Sequence, residues 1–298
     1  MRKFYFLLLL GFWLLVGYAL VYPFIQQPDP DEVWHEPLKH PLRQDVEAYM
    51  EQASVDERFA YPVAAPDFTP LPDFDAIVDT QEKKQAFFQY LGPYVARENA
   101  RLRFLRAQLL ELQQQLLARQ PLSMGDYAFI YRLYDEFRMP EASINDETVV
   151  ELLKRVDVLP ASLVLMQAAN ESAWGTSRFA VEGLNFFGQW CFREGCGLIP
   201  QARGEDQLHE VARFDSAEAS IRSYFYNLNT FHTYDELRDI RAELRSRQRP
   251  VRGVNLAPGL SRYSERGQDY IAEIKGMIRF NCPLMEDVRE QVSISPSC

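Results

Sequence analysis

The segment from Pro160 to Glu171 has almost no polar face, because Leu163, Val164, Leu165, Met166, Ala168 and Ala169 fall on every side of the helix their spacing predicts. A helix that is apolar nearly all round is stable only when other elements enclose it. Pro160 suits its first turn, where a missing N–H costs nothing. The segment ends on Glu171. A carboxyl at the C-terminal end of a buried helix meets the negative end of the dipole in apolar surroundings, and both favour the neutral acid. That is the state a general acid needs to protonate a leaving-group oxygen. The plainer alternative is that Glu171 only caps backbone amides of the Ser172–Ser177 turn.

Around this helix, the pattern from Glu141 onward predicts helices near 146–157, 160–171, 216–230, 234–246 and 265–279. Between Asn185 and Phe214 the chain turns rich in Gly and aromatics, which reads as an irregular lobe with a short β-hairpin. The result is an α+β domain, mainly helical, over 146–282, followed by a tail at 283–298 that opens on Pro283. Residues 80–145 read as a helical spacer, with a helix from Thr80 to Gln120 broken at Gly92-Pro93. Within it Leu102, Leu105, Leu109, Leu112 and Leu116 line one face. Residues 102–116 are then either the seam of a homodimeric stalk or a face packed on the chain's own domain. The second is favoured, because barely more than two heptads are present. Residues 26–79 carry many prolines and read as a tether interrupted by a short helix around Leu42 to Ala53.

Phe4 to Ile25 is a run of 22 residues without a charge, preceded by Arg2 and Lys3. As a helix it spans roughly 30 Å, enough for a membrane anchor that leaves residues 1–3 in the cytoplasm and exports the rest. The alternative is a signal peptide cleaved near Gly17-Tyr18-Ala19. Four cysteines, Cys191, Cys196, Cys282 and Cys298, agree with an oxidising compartment and allow three connectivities. Cys191 with Cys196 is the favoured pair, since W-C-F-R-E-G-C-G reads as a tight loop. A zinc site is not expected, because His209 and His232 are neither paired nor suitably spaced from the cysteines. No cofactor or metal is predicted. A net charge of -10 without a local basic patch argues against nucleic acid as a partner.

Asn170-Glu171-Ser172-Ala173-Trp174-Gly175, followed by Asn185-Phe186-Phe187-Gly188, resembles the paired motifs E-S-x-W-G and N-x-F-G of bacterial cell-wall glucosaminidases. The complete layout resembles the Bax-type proteins of Gram-negative bacteria. The resemblance implies a lysozyme-like domain that cleaves the β-1,4 bond after N-acetylglucosamine in peptidoglycan glycan strands, with Glu171 as general acid. It also implies a periplasmic location, anchored to the inner membrane through the N-terminal helix. Trp174 and Gly175 would shape the turn below the cleft. Phe186 and Phe187 would partly line its floor and partly fill the core. The chain departs from the family at Gln189-Trp190, where an exposed Trp190 would stack on a sugar. A second carboxylate is expected among Glu194, Glu205, Asp206 and Glu210, with Glu205 preferred and Glu210 next; failing these, the substrate's N-acetyl group would assist. Tyr263, in Leu260-Ser261-Arg262-Tyr263-Ser264 ahead of Tyr270-Ile271-Ala272, matches the family's tyrosine landmark. Tyr224 and Tyr226 read as core, and His232 as a surface or helix-end residue. The rival activities are a lytic transglycosylase of the same fold and a non-catalytic peptidoglycan-binding scaffold.

Overall fold

The computed structural model describes residues 40–52, 58–59, 70–140, 142–200 and 209–292, and the chain from Pro41 onward forms one contact unit. Among the described residues six helices come first: α1 (Arg43–Gln52), α2 (Thr80–Leu117), α3 (Met124–Glu136), α4 (Asp146–Arg155), α5 (Ala161–Glu171) and α6 (Arg178–Gly183). A small sheet of β1 (Trp190–Cys191), β2 (Gly197–Leu198) and β3 (Glu210–Ala212) follows, and α7 (Ala217–Thr230), α8 (Asp235–Ser246), α9 (Gly253–Leu256) and α10 (Gln268–Val292) complete the order. The class is the expected mainly helical α+β.

Helix α5 is enclosed as its composition requires. Leu163, Val164, Leu165, Met166 and Ala168 have no exposed surface, and α2, α9 and α10 pack around them. Several neighbouring helices begin on side-chain caps that satisfy otherwise orphaned amides. Ser123 with Asp126 forms a capping box on α3, and Asn145 with Thr148 forms one on α4.

Two expected helix breaks are absent. Helix α2 runs for 38 residues straight through Pro93. An interior proline costs a helix about 3 kcal/mol in isolation. Here Phe87, Phe88, Leu91 and Val95 on the flanking turns are completely buried, and that packing offsets the lost hydrogen bond. Helix α10 likewise continues through Pro283 to Val292, so the tail expected from 283 is helical at its start, with Met285 buried.

The spacer and part of the tether also belong to the unit. Helix α2 packs on α4, α5, α7 and α10, and its leucines 102, 105, 109, 112 and 116 are all buried within the chain. The seam read as a homodimer contact is therefore covered by the protein itself, the reading that its short repeat favoured. Val46 on α1 and Phe74, both from the stretch read as tether, are buried in the core, and α1 packs on α3. The uncharged run at 4–25 lies outside the described residues. Among those described, no helix is long and apolar enough to cross a membrane.

The expected hairpin is a three-stranded antiparallel sheet in the order β1-β3-β2, with Trp190 opposite Val211 and Leu198 opposite Val211 on the other edge. Cys191 and Cys196 are joined by a disulfide that closes the loop between β1 and β2. Cys298 lies outside the described residues.

Candidate active site

Helix α5 stops abruptly after Glu171, and the turn that stops it leaves that side chain only partly buried at the end of a buried helix. Ser172 is fully buried; its hydroxyl donates to the Ala168 carbonyl (2.6 Å) and accepts from the Gly175 amide (2.9 Å). The Trp174 amide reaches back to the Ala169 carbonyl at 2.8 Å. Ala173, Trp174 and Gly175 are three consecutive left-handed residues, with φ of 50°, 57° and 83°. Non-glycine residues in that region carry about 1–3 kcal/mol of strain each, so surrounding packing must hold them. The Trp174 ring supplies that hold. It packs on Phe87 (5.6 Å) and Phe88 (5.7 Å) of α2, with Lys84 Nζ 5.0 Å from the ring centre.

Glu171 itself is gripped from α10. The Tyr270 hydroxyl donates to Glu171 Oε1 at 2.9 Å, and Asn170 Nδ2 makes a longer contact to the same oxygen at 3.4 Å. Gln167, one turn earlier on α5, donates from Nε2 to the Tyr270 hydroxyl at 2.9 Å, and its Oε1 accepts from the Tyr224 hydroxyl. Gln167 is completely buried, so the three-residue relay has a fixed direction. Burial, neighbouring tyrosines and the Glu171 charge all push the hydroxyls of Tyr224, Tyr263 and Tyr270 well above the usual tyrosine range. They therefore remain protonated donors at physiological pH.

Tyr263 does not touch Glu171 through a hydrogen bond. Its ring stacks on Tyr270 at 5.5 Å, and its hydroxyl donates to the Phe187 carbonyl at 3.0 Å. It braces the tyrosine that does make the contact. Sequence reasoning missed both Tyr270 and Gln167. The available signal was Gln167, the long polar side chain within the apolar run Leu163–Ala169.

The second motif is a scaffold. Asn185, 1% exposed, donates to the carbonyls of Gln189 (2.9 Å) and Ala212 (2.8 Å) and accepts from the amides of Gln189 (3.0 Å) and Phe187 (3.3 Å), tying the loop to β3. Phe186 is buried against Tyr90 and Phe87, and Phe187 stacks on Tyr224 at 4.0 Å. The departure at Gln189 is structural: its side chain donates to the Ser220 carbonyl and accepts from Ser223 and Asn227 on α7. Trp190 is 57% exposed and stacks in parallel on His209 at 4.1 Å, offering an aromatic surface to solvent. Tyr224 is core as expected, but Tyr226 is not, since it reaches solvent at the surface of α7.

Among the carboxylate candidates, Glu205 and Asp206 lie outside the described residues, and Glu194 is exposed. Glu210 is buried, with Oε1 accepting from the Gly195 amide (3.0 Å) and Oε2 from the Gly197 amide (2.7 Å). Both oxygens thus clamp the disulfide loop. Glu210, Cys191 and Cys196 place potential metal ligands close together, but the two sulfurs are consumed by the disulfide.

Residues 146–281 match the glucosaminidase family model, described as mannosyl-glycoprotein endo-beta-N-acetylglucosaminidase. The chain is also 30% identical over 202 residues to "Protein bax" of Escherichia coli (strain K12), a match that covers 67% of this chain and 70% of that protein. No solved structure matches the chain. With the E-S-x-W-G turn, the N-x-F-G scaffold and an alignment that reaches well beyond the matched domain, the chain belongs to the Bax-type proteins that carry a glucosaminidase domain.

Proposed function

We propose that this protein is a peptidoglycan hydrolase that cleaves the β-1,4 bond after N-acetylglucosamine, with Glu171 as general acid. The observation that carries the reading is the Glu171 side chain, partly buried at the end of buried α5 and held by Tyr270 at 2.9 Å. Oε1 receives both the Tyr270 and Asn170 donors, so it acts as the carbonyl-type oxygen. Oε2 is then the oxygen that would pass a proton to a glycosidic bond. Family membership supports glycosidase chemistry, and the exposed Trp190 ring supports stacking on a sugar face. Glu205 or the substrate's own N-acetyl oxygen completes the mechanism on the opposite side of the ring. The Cys191–Cys196 disulfide and the uncharged run at 4–25 support a periplasmic site of action, anchored to the inner membrane.

The test is release of soluble fragments from purified peptidoglycan. Replacing Glu171 by Gln should lower the rate by about 10²–10⁴-fold, the range ascribed to a general acid, with circular dichroism and thermal midpoint unchanged. Undiminished release would overturn the assignment. Product masses decide the reaction: a reducing N-acetylglucosamine end supports hydrolysis, whereas an anhydro end, lighter by one water, makes the protein a transglycosylase. Binding without any release makes it a scaffold.

A further inference from the structure

A cavity of about 800 Å³ lies between α2, the end of α3 and α7, within the range typical of small-ligand sites. It is separate from the Glu171 site. On α7, Ala219, Arg222, Tyr226 and Asn229 line the cavity, whereas Tyr224, on another face of the same helix, bonds to Gln167 in the relay beneath Glu171. Leu102, Phe137 and Phe225 give the cavity an apolar floor.

The polar groups around that floor are paired unevenly. Arg97 is paired with Glu218, and Arg101 with both Glu98 and Glu136. Arg222 is held less firmly: its side chain is 53% exposed and reaches only Glu98, at 3.5 Å, an oxygen it shares with Arg101 at 3.3 Å. Two further polar atoms of the lining residues are buried without any hydrogen-bond partner, Arg97 Nε and Asn229 Oδ1. Asn229 is 1% exposed and uses Nδ2 on the Asp157 carbonyl at 3.0 Å, so its Oδ1 remains an unanswered acceptor. Unsatisfied buried groups are uncommon in folded proteins, and two beside one cavity call for a ligand that brings a donor and an acceptor together.

A peptide unit has that pair of groups, apolar side chains suit the floor, and a terminal carboxylate suits an exposed guanidinium with one shared partner. We propose that this cavity binds a short peptide through its free C-terminal carboxylate on Arg222, with a backbone amide answering Asn229 and Arg97. The proposal does not depend on the hydrolase reading.

The experiment titrates the full chain with N-acetyl-Val-Leu and with the same dipeptide as its C-terminal amide, by calorimetry and by backbone amide shifts. The free acid should saturate shifts at Ala219, Tyr226 and Asn229, and the amide should bind at least tenfold more weakly. Arg222→Ala should weaken the acid at least tenfold, and Ala219→Trp, which fills the cavity, should abolish binding. Glu171→Gln should bind the peptide as the wild type does, so loss of hydrolysis and loss of this site are read separately. Absence of saturable shifts at those amides, equal affinity for acid and amide, or unchanged binding by Arg222→Ala would overturn the proposal. The acid-against-amide comparison needs no variant, so it holds even if Ala219→Trp fails to fold.

Discussion

Tyr270 on α10 donates its hydroxyl proton to Glu171 at the end of α5, across a sequence separation of 99 residues. The bond occupies Oε1 of the carboxyl, and Gln167 fixes the tyrosine in turn. Phenylalanine at 270 would keep the ring stacked on Tyr263 while removing the donor and leaving Gln167 Nε2 without its acceptor. The variant should lose about 1–3 kcal/mol of stability and at least tenfold in kcat, with KM little changed. Urea denaturation and steady-state release assays on peptidoglycan check both. A variant with wild-type kcat would remove Tyr270 from the site.

Gly175 sits where a side chain has no room. A Cβ there would lie 2.4 Å from Phe74 Cδ2, at a φ of 83° that L side chains rarely adopt. Gly175→Ala should therefore cost about 2 kcal/mol or more. Because Phe74 supplies the clash, Gly175→Ala combined with Phe74→Ala should cost less than the sum of the two single variants. Strict additivity in thermal or chemical denaturation would contradict that geometry.

Glu210 clamps two amides of the disulfide loop, and glutamine in its place can accept only one of them. Glu210→Gln should speed hydrogen exchange of the Gly195 and Gly197 amides while leaving the amides of α5 protected. A clamp also predicts a fall in activity of less than about tenfold, well short of the 10²–10⁴-fold expected for a catalytic carboxyl. A loss in the catalytic range with normal loop protection would make Glu210 the second carboxylate after all.

Asp157 is buried beneath the guanidinium groups of Arg241, Arg245 and Arg106. Burial opposes its ionisation, but the three cations outweigh burial and hold the carboxyl below its ordinary range. Arg241, pushed down to about 10 by burial, is still charged at neutral pH. A depressed carboxyl pKa contributes stability that is present above the unfolded value of about 3.9 and is lost as pH falls through the lower folded value. Asp157→Asn should lose about 3–5 kcal/mol at pH 7 by leaving buried cations uncompensated. The gap between variant and wild type should narrow as pH falls below about 3.9, and a constant gap across that window would refute the pairing.

The features legible in the sequence were local ones. The spacing of apolar residues from Leu163 to Ala169 implied a helix enclosed on all sides, and burial follows directly from having no polar face. The four residues between Cys191 and Cys196 likewise limited their geometry to a loop that a disulfide can close. Pro93 and Pro283 misled, because a proline's local cost is visible in sequence whereas the packing that overrides it comes from distant segments.

The sequence by itself determined a mainly helical domain, a central helix ending in Glu171, and the E-S-x-W-G and N-x-F-G motifs that mark the family. Only the tertiary structure decided that Phe74 and α2 build the floor under the Glu171 turn, and that Tyr270 rather than Tyr263 holds the carboxyl. Periodicity tells which face of a segment must be buried, because that depends on residues a few positions apart. Which residues 99 positions apart meet depends on how helices dock, and docking is settled by the shape and volume of the whole core.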